Sequence, residues 1–292
     1  MRVLWKAPVR TPAAKLGAGA VAAAAVLWGL WPYWVARAGS PATAAVALAV
    51  AGLLGLPLAL RQGRGQRRGG RLWLLMGLLG VLDAANVGTY FHALGHGALA
   101  PAVISHYLAP VLVALAAPRL LGEAPARRGR LALVLALAGT ITLVALGRGA
   151  GPAGGHAFAV GVGWGGASAL FYAAVILLSR RLGRDFGDVE LLSYHVLVSA
   201  VLLLPLGLPG RVAAGWAALG GLVSTLLAGV LYYSGLRRLG AERTAVLSYL
   251  EPVAALGVGW LAFGLAPTVG ALVGGALVLG GGLVVVLSAR EA

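Results

Sequence analysis

Ten predominantly apolar runs, most of them roughly 20 residues long and so of membrane-crossing length, follow one another along this chain with little between them. They cover residues 16–36, 41–60, 72–94, 98–118, 130–147, 156–179, 189–208, 212–236, 244–263 and 266–288. A helix rises 1.5 Å per residue, so roughly 20 apolar residues cross about 30 Å of hydrocarbon. Strands of a membrane barrel would be half as long and would alternate in polarity, which these runs do not. The composition agrees. With 60% hydrophobic and 11% charged residues, the chain has no room for an ordinary soluble domain. The absence of cysteine removes disulfides and thiolate chemistry without fixing the compartment.

A net charge of +15 suggests nucleic acid until the charges are placed. With the N-terminus inside, Arg37, Arg148 and Arg211 fall in outer loops, and the other 20 of the 23 Lys and Arg fall in inner segments. This is the positive-inside bias. It predicts a multi-pass protein of the cell inner membrane with both termini cytoplasmic. Its large-scale partner is the lipid bilayer, with basic loops against anionic headgroups, and not nucleic acid. The stretch from Met1 to Trp31 also resembles a signal peptide, basic and then Ala-rich. Removing it would leave the first half one helix short, so it is read as part of the first span.

Two short stretches recur at one interval. His106-Tyr107-Leu108-Ala109-Pro110-Val111 matches Ser248-Tyr249-Leu250-Glu251-Pro252-Val253 at an offset of 142 residues. The same offset pairs Tyr90 with Tyr232, Leu94 with Leu236, Gly122 with Gly264, Pro125 with Pro267, and Gly139 with Gly281. The chain therefore divides into a cytoplasmic N-terminus (1–15), a five-helix repeat (16–147), an outer Gly-rich linker (148–155), a second five-helix repeat (156–288) and a cytoplasmic C-terminus (289–292). Five is odd, so the second unit enters the membrane upside down. The fold class is all-α membrane protein, ten transmembrane helices as two inverted-topology repeats, with a midplane site between them.

Polar residues inside the spans mark that site. Asp83 lies near the midplane of helix three, and Asn86 and Tyr90 follow on the same face. In lipid such a face points into the bundle. A packing hydrogen bond is the other reading of Asp83. Pro110 and Pro252 lack an N–H and kink their helices, freeing carbonyls near His106 and Ser248. Thr244, Ser248 and Glu251 share a face of helix nine; Glu251 either lines the path or snorkels to Arg243 or Arg238. Asp83, Asn86, Tyr90, His106, Tyr107, Ser248, Tyr249 and Glu251 are the substrate or proton pathway candidates, with Tyr232 as a further gate residue. Trp31 and Trp34 read as an outer aromatic belt. Glu123 reads as a surface ion pair among Arg119, Arg127 and Arg128, and Arg180 to Glu190 as a solvated mixed loop. Gly161-x-x-x-Gly165 and the glycines of helix ten predict close packing, for helix ten either inside the bundle or across a homodimer.

Trp28-Gly29, Tyr107-Leu108-Ala109-Pro110-Val111 with Gly122-Glu123, and Tyr249-Leu250-Glu251-Pro252-Val253 resemble the EamA family of the drug/metabolite transporter superfamily. The resemblance covers nearly the whole chain as two units. It implies ten helices, inverted pseudo-symmetry and export of small metabolites, often amino acids or their derivatives. The second unit departs from the pattern, with Gly264-Leu265 where a Gly-Glu pair is expected. The reading is a secondary transporter exporting a small polar metabolite by alternating access. It needs no cofactor or metal. No P-loop motif is present, so coupling is to an ion gradient, with Asp83 and His106 as proton candidates, or to the substrate gradient alone. An intramembrane lipid-modifying enzyme would need clustered acids or metal ligands, and only eight acids exist. A non-transporting assembly factor would not need buried ionisable groups.

Overall fold

The computed structural model describes residues 11–38, 42–96, 99–123, 128–146 and 154–288, so most of the Gly-rich linker and both extreme termini lie outside it. Among the described residues there are nine helices long and apolar enough to cross a membrane, a tenth, shorter apolar helix, and no strand. They are α1 (Pro12–Ala38), α2 (Thr43–Gln62), α3 (Gly70–His96), α4 (Leu99–Leu121), the shorter α5 (Gly129–Ala145), α6 (Gly155–Leu182), α7 (Asp188–Leu206), α8 (Arg211–Leu239), α9 (Ala241–Phe263) and α10 (Val269–Leu287). At 27 residues, α3 is about 40 Å long and must tilt or protrude.

The repeat is visible in local structure. In α4 the helix Leu99–His106 gives way to Ala109–Leu121; in α9, Ala241–Ser248 gives way to Leu250–Phe263. The breaks fall just before Pro110 and Pro252, whose missing N–H groups leave the carbonyls of His106 and Ser248 without helical partners. Both helices then end on a left-handed glycine, Gly122 and Gly264, each at φ 68°. That conformation carries no Cβ penalty only in glycine.

Each repeat gives its first helix to the other. Helix α1 packs on α8 and α9, while α6 packs on α3 and α4; α2 pairs with α7, and α5 with α10. Apolar side chains gain little by leaving lipid for protein, so these contacts rest on small residues that let backbones approach. A Cβ on Gly235 would stand 2.3 Å from Val21 Cγ2, and one on Gly165 would stand 2.5 Å from the Ala102 carbonyl oxygen. Gly139 faces the Gly274 carbonyl at 2.6 Å by the same measure, and Gly281 faces that of Ala132 at 2.7 Å. Those last two contacts are images of each other under the repeat offset. Gly274 and Gly281 of helix ten therefore pack inside the chain, against α5.

Two expectations are overturned at the end of the bundle where most arginines gather. The mixed loop is solvated only in part: Arg181, Arg184 and Asp185 are exposed, but Glu190 is 1% exposed and takes a two-pronged pair from Arg68, at 2.7 and 2.8 Å. Arg68 also covers the Phe186 ring. Glu123 is not a surface partner of Arg119 or Arg128, and Arg127 lies outside the described residues. It accepts from Arg180 Nε at 2.5 Å and from the Ala241 N–H at 2.7 Å, so it caps the start of α9 in the other repeat. Helix N-termini carry unpaired N–H groups and partial positive charge, and a carboxylate satisfies both. At the opposite end, Trp34 does not face lipid as a belt residue. Its indole N–H donates to Ser224 Oγ at 2.9 Å, and its ring lies near Trp216. Tyr33 joins Trp216 and Phe263, with Arg37 over its ring. These residues tie α1 to α8 and α9.

Candidate functional site

The two helix breaks meet at mid-bundle. Tyr107 and Tyr249, equivalent under the repeat, touch each other, with ring centroids 5.8 Å apart and the Tyr249 hydroxyl donating to the Tyr107 carbonyl at 2.6 Å. The break exposes that carbonyl to a partner, and the other repeat supplies it. Tyr249 is 0% exposed, so in this conformation it clasps the repeats and presents no surface to a ligand.

Glu251 sits two residues beyond the clasp. Helix α9 starts at Ala241, three residues earlier than the sequence suggests, which puts Glu251 about 15 Å along the helix, at mid-depth. The alternative of a snorkelling pair is not what is seen. Arg238 bonds to Ser234, and the electrostatic neighbours of Glu251 are the phenols of Tyr90, Tyr107 and Tyr172. They come from α3, α4 and α6. Pro252, buried, follows at the break, as Pro110 does in α4.

His106 shares two of these phenols with Glu251. Its ring stacks on Tyr90 (4.1 Å) and Tyr172 (5.3 Å) and meets Tyr107 edge-on. Its Nδ1 lies 2.8 Å from Ser168 Oγ, and that hydroxyl lies 2.8 Å from Asn86 Oδ1. The serine has one proton; giving it to Asn86 requires His106 Nδ1–H to donate to the serine. Asn86, Ser168 and His106 thus form one chain across α3, α6 and α4. Ser248 is buried, bonds the Thr244 carbonyl of its own helix and lies beside Tyr172. Tyr232, also buried, packs at a tilt against Trp28, with ring centroids 4.9 Å apart.

Asp83 joins a different partner set from the one the sequence suggests. It does not meet His106. Ser199 Oγ stands 2.8 Å from Asp83 Oδ2, and His195 Nε2 stands 4.0 Å from it. Both belong to α7, which packs so close at Gly80 that a Cβ there would meet the His195 carbonyl at 2.7 Å. Sequence reasoning passed over Ser168, Tyr172, His195 and Ser199. For His195 a signal was present: an ionisable residue within an apolar span is a functional candidate by default. The eight pathway candidates fall into two connected groups, Asp83 with α7, and the rest around Glu251, His106 and the tyrosine clasp. Tyr172 is an electrostatic neighbour of both Glu251 and Asp83.

A surface groove at the arginine-rich end, lined by Arg128, Gly129, Ala132, Glu242, Arg243, Val246 and Val285, lies away from these residues. No cluster of three metal-ligating side chains occurs among the described residues.

Comparison with known proteins bears on this arrangement. A protein of Archaeoglobus fulgidus described as an uncharacterized transporter is 31% identical over 275 residues, which is 92% of this chain and 96% of the relative. A solved crystal structure, 24% identical, has a TM-score of 0.79 and covers 95% of this chain and 99% of its own, and so shares the fold. Residues 15–145 and 159–287 each match the EamA-like transporter family. Two matched units, ten helices and interlocked repeats coincide: the chain is a membrane transporter belonging to the EamA-like transporter family.

Proposed function

We propose that this transporter exports a small polar metabolite carrying an amine, such as an amino acid or a derivative, by rocking of the two repeats about the tyrosine clasp. The observation that carries the reading is Glu251, a carboxylate at mid-depth ringed by Tyr90, Tyr107 and Tyr172 at the point where both repeats break. A carboxylate with aromatic faces around it suits a cationic amine through charge and cation–π attraction. The hydroxyl and amide chain of Asn86, Ser168 and His106 offers hydrogen bonds to the rest of the molecule. The proton gradient supplies the energy, entering through Asp83. The protein sits in the cell inner membrane with the arginine-rich end and both termini in the cytoplasm, in keeping with the charge distribution.

The test is purified protein in liposomes with a panel of radiolabelled amino acids and simple amines, each measured by counterflow. At least one is expected to exchange saturably above protein-free liposomes. Glu251→Gln should abolish that exchange while leaving the protein folded. Folded protein that moves no member of the panel, or full exchange by Glu251→Gln, would overturn the proposal.

A further inference from the structure

Asp83 has a partner whose geometry goes beyond packing. His195 Nδ1 lies 2.6 Å from the Leu191 carbonyl one helical turn earlier, so that nitrogen carries a proton and its ring is fixed. The other nitrogen, Nε2, then faces Asp83 Oδ2 at 4.0 Å and the Tyr233 hydroxyl at 3.3 Å. An ionised carboxylate opposite the lone pair of a neutral imidazole would set two electron-rich atoms against each other in a low-dielectric interior. One proton resolves this, held either as Asp83 carboxylic acid or as His195 imidazolium. The surroundings serve both forms. Ser199 Oγ lies 2.8 Å from Asp83 Oδ2 and 2.9 Å from the Gly80 carbonyl. It donates to the carboxylate in one form; in the other it accepts from the acid and donates to Gly80. The Tyr233 hydroxyl likewise donates to neutral Nε2 or accepts from Nε2–H.

From this we infer that Asp83 and His195 form one proton-binding site, a carboxyl–imidazole pair between α3 and α7 that takes up a single shared proton. The inference rests on the proposed proton coupling and names where it acts. The other ionisable groups that interact with the pair are Tyr172 from α6 and Tyr233 from α8; α4 carries His106, Tyr107 and Arg119, and from α2 only Arg61 is ionisable, at the arginine-rich end. With the proton bound, the pair has no net charge. Released, it leaves one negative charge at mid-depth, so the two states differ in the cost of dry packing of α3 against α7. Neither group has a counterpart in the opposite repeat: the repeat offset places Thr225 opposite Asp83 and Leu53 opposite His195. The site therefore occurs once per molecule.

The test needs no cargo. Protein reconstituted in lipid and labelled with ¹⁵N-histidine is titrated from acid to alkaline pH. The carbonyl stretch of protonated Asp83, assigned by Asp83→Asn, is followed by infrared spectroscopy. The His195 nitrogens, assigned by His195→Gln, are followed by nuclear magnetic resonance. The pair predicts reciprocal dependence, each substitution moving the partner's midpoint by at least about one pH unit, a tenfold change in proton affinity. Ser199→Ala and Tyr233→Phe should move both midpoints and serve if His195→Gln does not fold. Unchanged midpoints in the folded variants would overturn the pair. Coupled midpoints in a protein that exchanges no panel compound would instead overturn the proposed cargo class alone.

Discussion

At the scale of single residues, an ionisable group inside the membrane either holds the bundle together or takes part in transport, and isosteric substitution separates the two roles. Asp83→Asn keeps the shape of the side chain and its hydrogen bond from Ser199 but removes the proton. A packing residue would tolerate that change. A proton carrier would not, and the expected result is folded, membrane-inserted protein whose transport falls on the order of tenfold or more, the scale set by losing about 1.4 kcal/mol. The sign of the pH effect also follows. Wild-type export should rise as the outside becomes more acidic, because protons entering drive cargo out, and the variant's profile should be flat. Wild-type rate with an unchanged pH profile in proteoliposomes would reduce Asp83 to a structural role. Asp83, Asn86, Tyr90 and His106 were legible because depth and the 100° step are properties of one helix. Ser168, Tyr172 and Ser199 were not, since which helices cross at a given depth is decided by packing between segments far apart in sequence.

At the scale of elements, the chain is assembled by backbone proximity and by end caps. In α10 a Cβ on Gly274 would lie 2.3 Å from the Leu143 backbone nitrogen, and that atom cannot move aside as a side chain would. Gly274→Leu should therefore cost more than about 2 kcal/mol of stability through overpacking. Gly280, which faces open space, should accept the same change nearly unaltered. Thermal unfolding in detergent compares them, and equal losses would remove α5·α10 packing as the cause. Glu123 makes a different kind of joint. Its carboxylate spans from the end of α4 to the start of α9, and Leu265 stands at the equivalent position of the second repeat. An apolar side chain there cannot make the same cap, so the cap belongs to the arginine-rich end. Glu123→Gln halves the carboxylate's capacity and removes the pair with Arg180, costing roughly 1–3 kcal/mol of closure at that end. A cysteine at Arg181 in an otherwise wild-type background reports it: faster thiol modification in the Glu123→Gln protein is expected, and an unchanged rate would assign Glu123 to fold stability alone. The sequence displayed the departure at Leu265, but the partner of Glu123 became visible only with α9 folded beside α4.

At the scale of the whole molecule, a nearly symmetric frame carries asymmetric chemistry. The breaks, end glycines and close glycine contacts recur at the repeat offset, whereas Asp83, Asn86, His106 and Glu251 face Thr225, Ala228, Ser248 and Ala109 at the equivalent positions. Under the proposed alternating access, symmetry would let the repeats exchange roles between inward-open and outward-open states, and asymmetry would fix how cargo and proton are bound within them. Both depend on the orientation of the bundle in the membrane, and the absence of cysteine makes that directly measurable. Single cysteines at Arg67 and Arg181 would report the arginine-rich end, one in each repeat. Cysteines at Gly154 and Gly210 would report the opposite end, where neither glycine has a neighbour within 4 Å of a built Cβ and neither has a positive φ. In intact cells an impermeant maleimide should label Gly154→Cys and Gly210→Cys and leave Arg67→Cys and Arg181→Cys unmodified until the cells are opened. The reverse pattern would invert the molecule and with it the direction in which the positive-inside rule was applied. Labelling of Arg67→Cys together with Gly210→Cys would break the alternation between α2 and α8 and so the ten-helix topology itself.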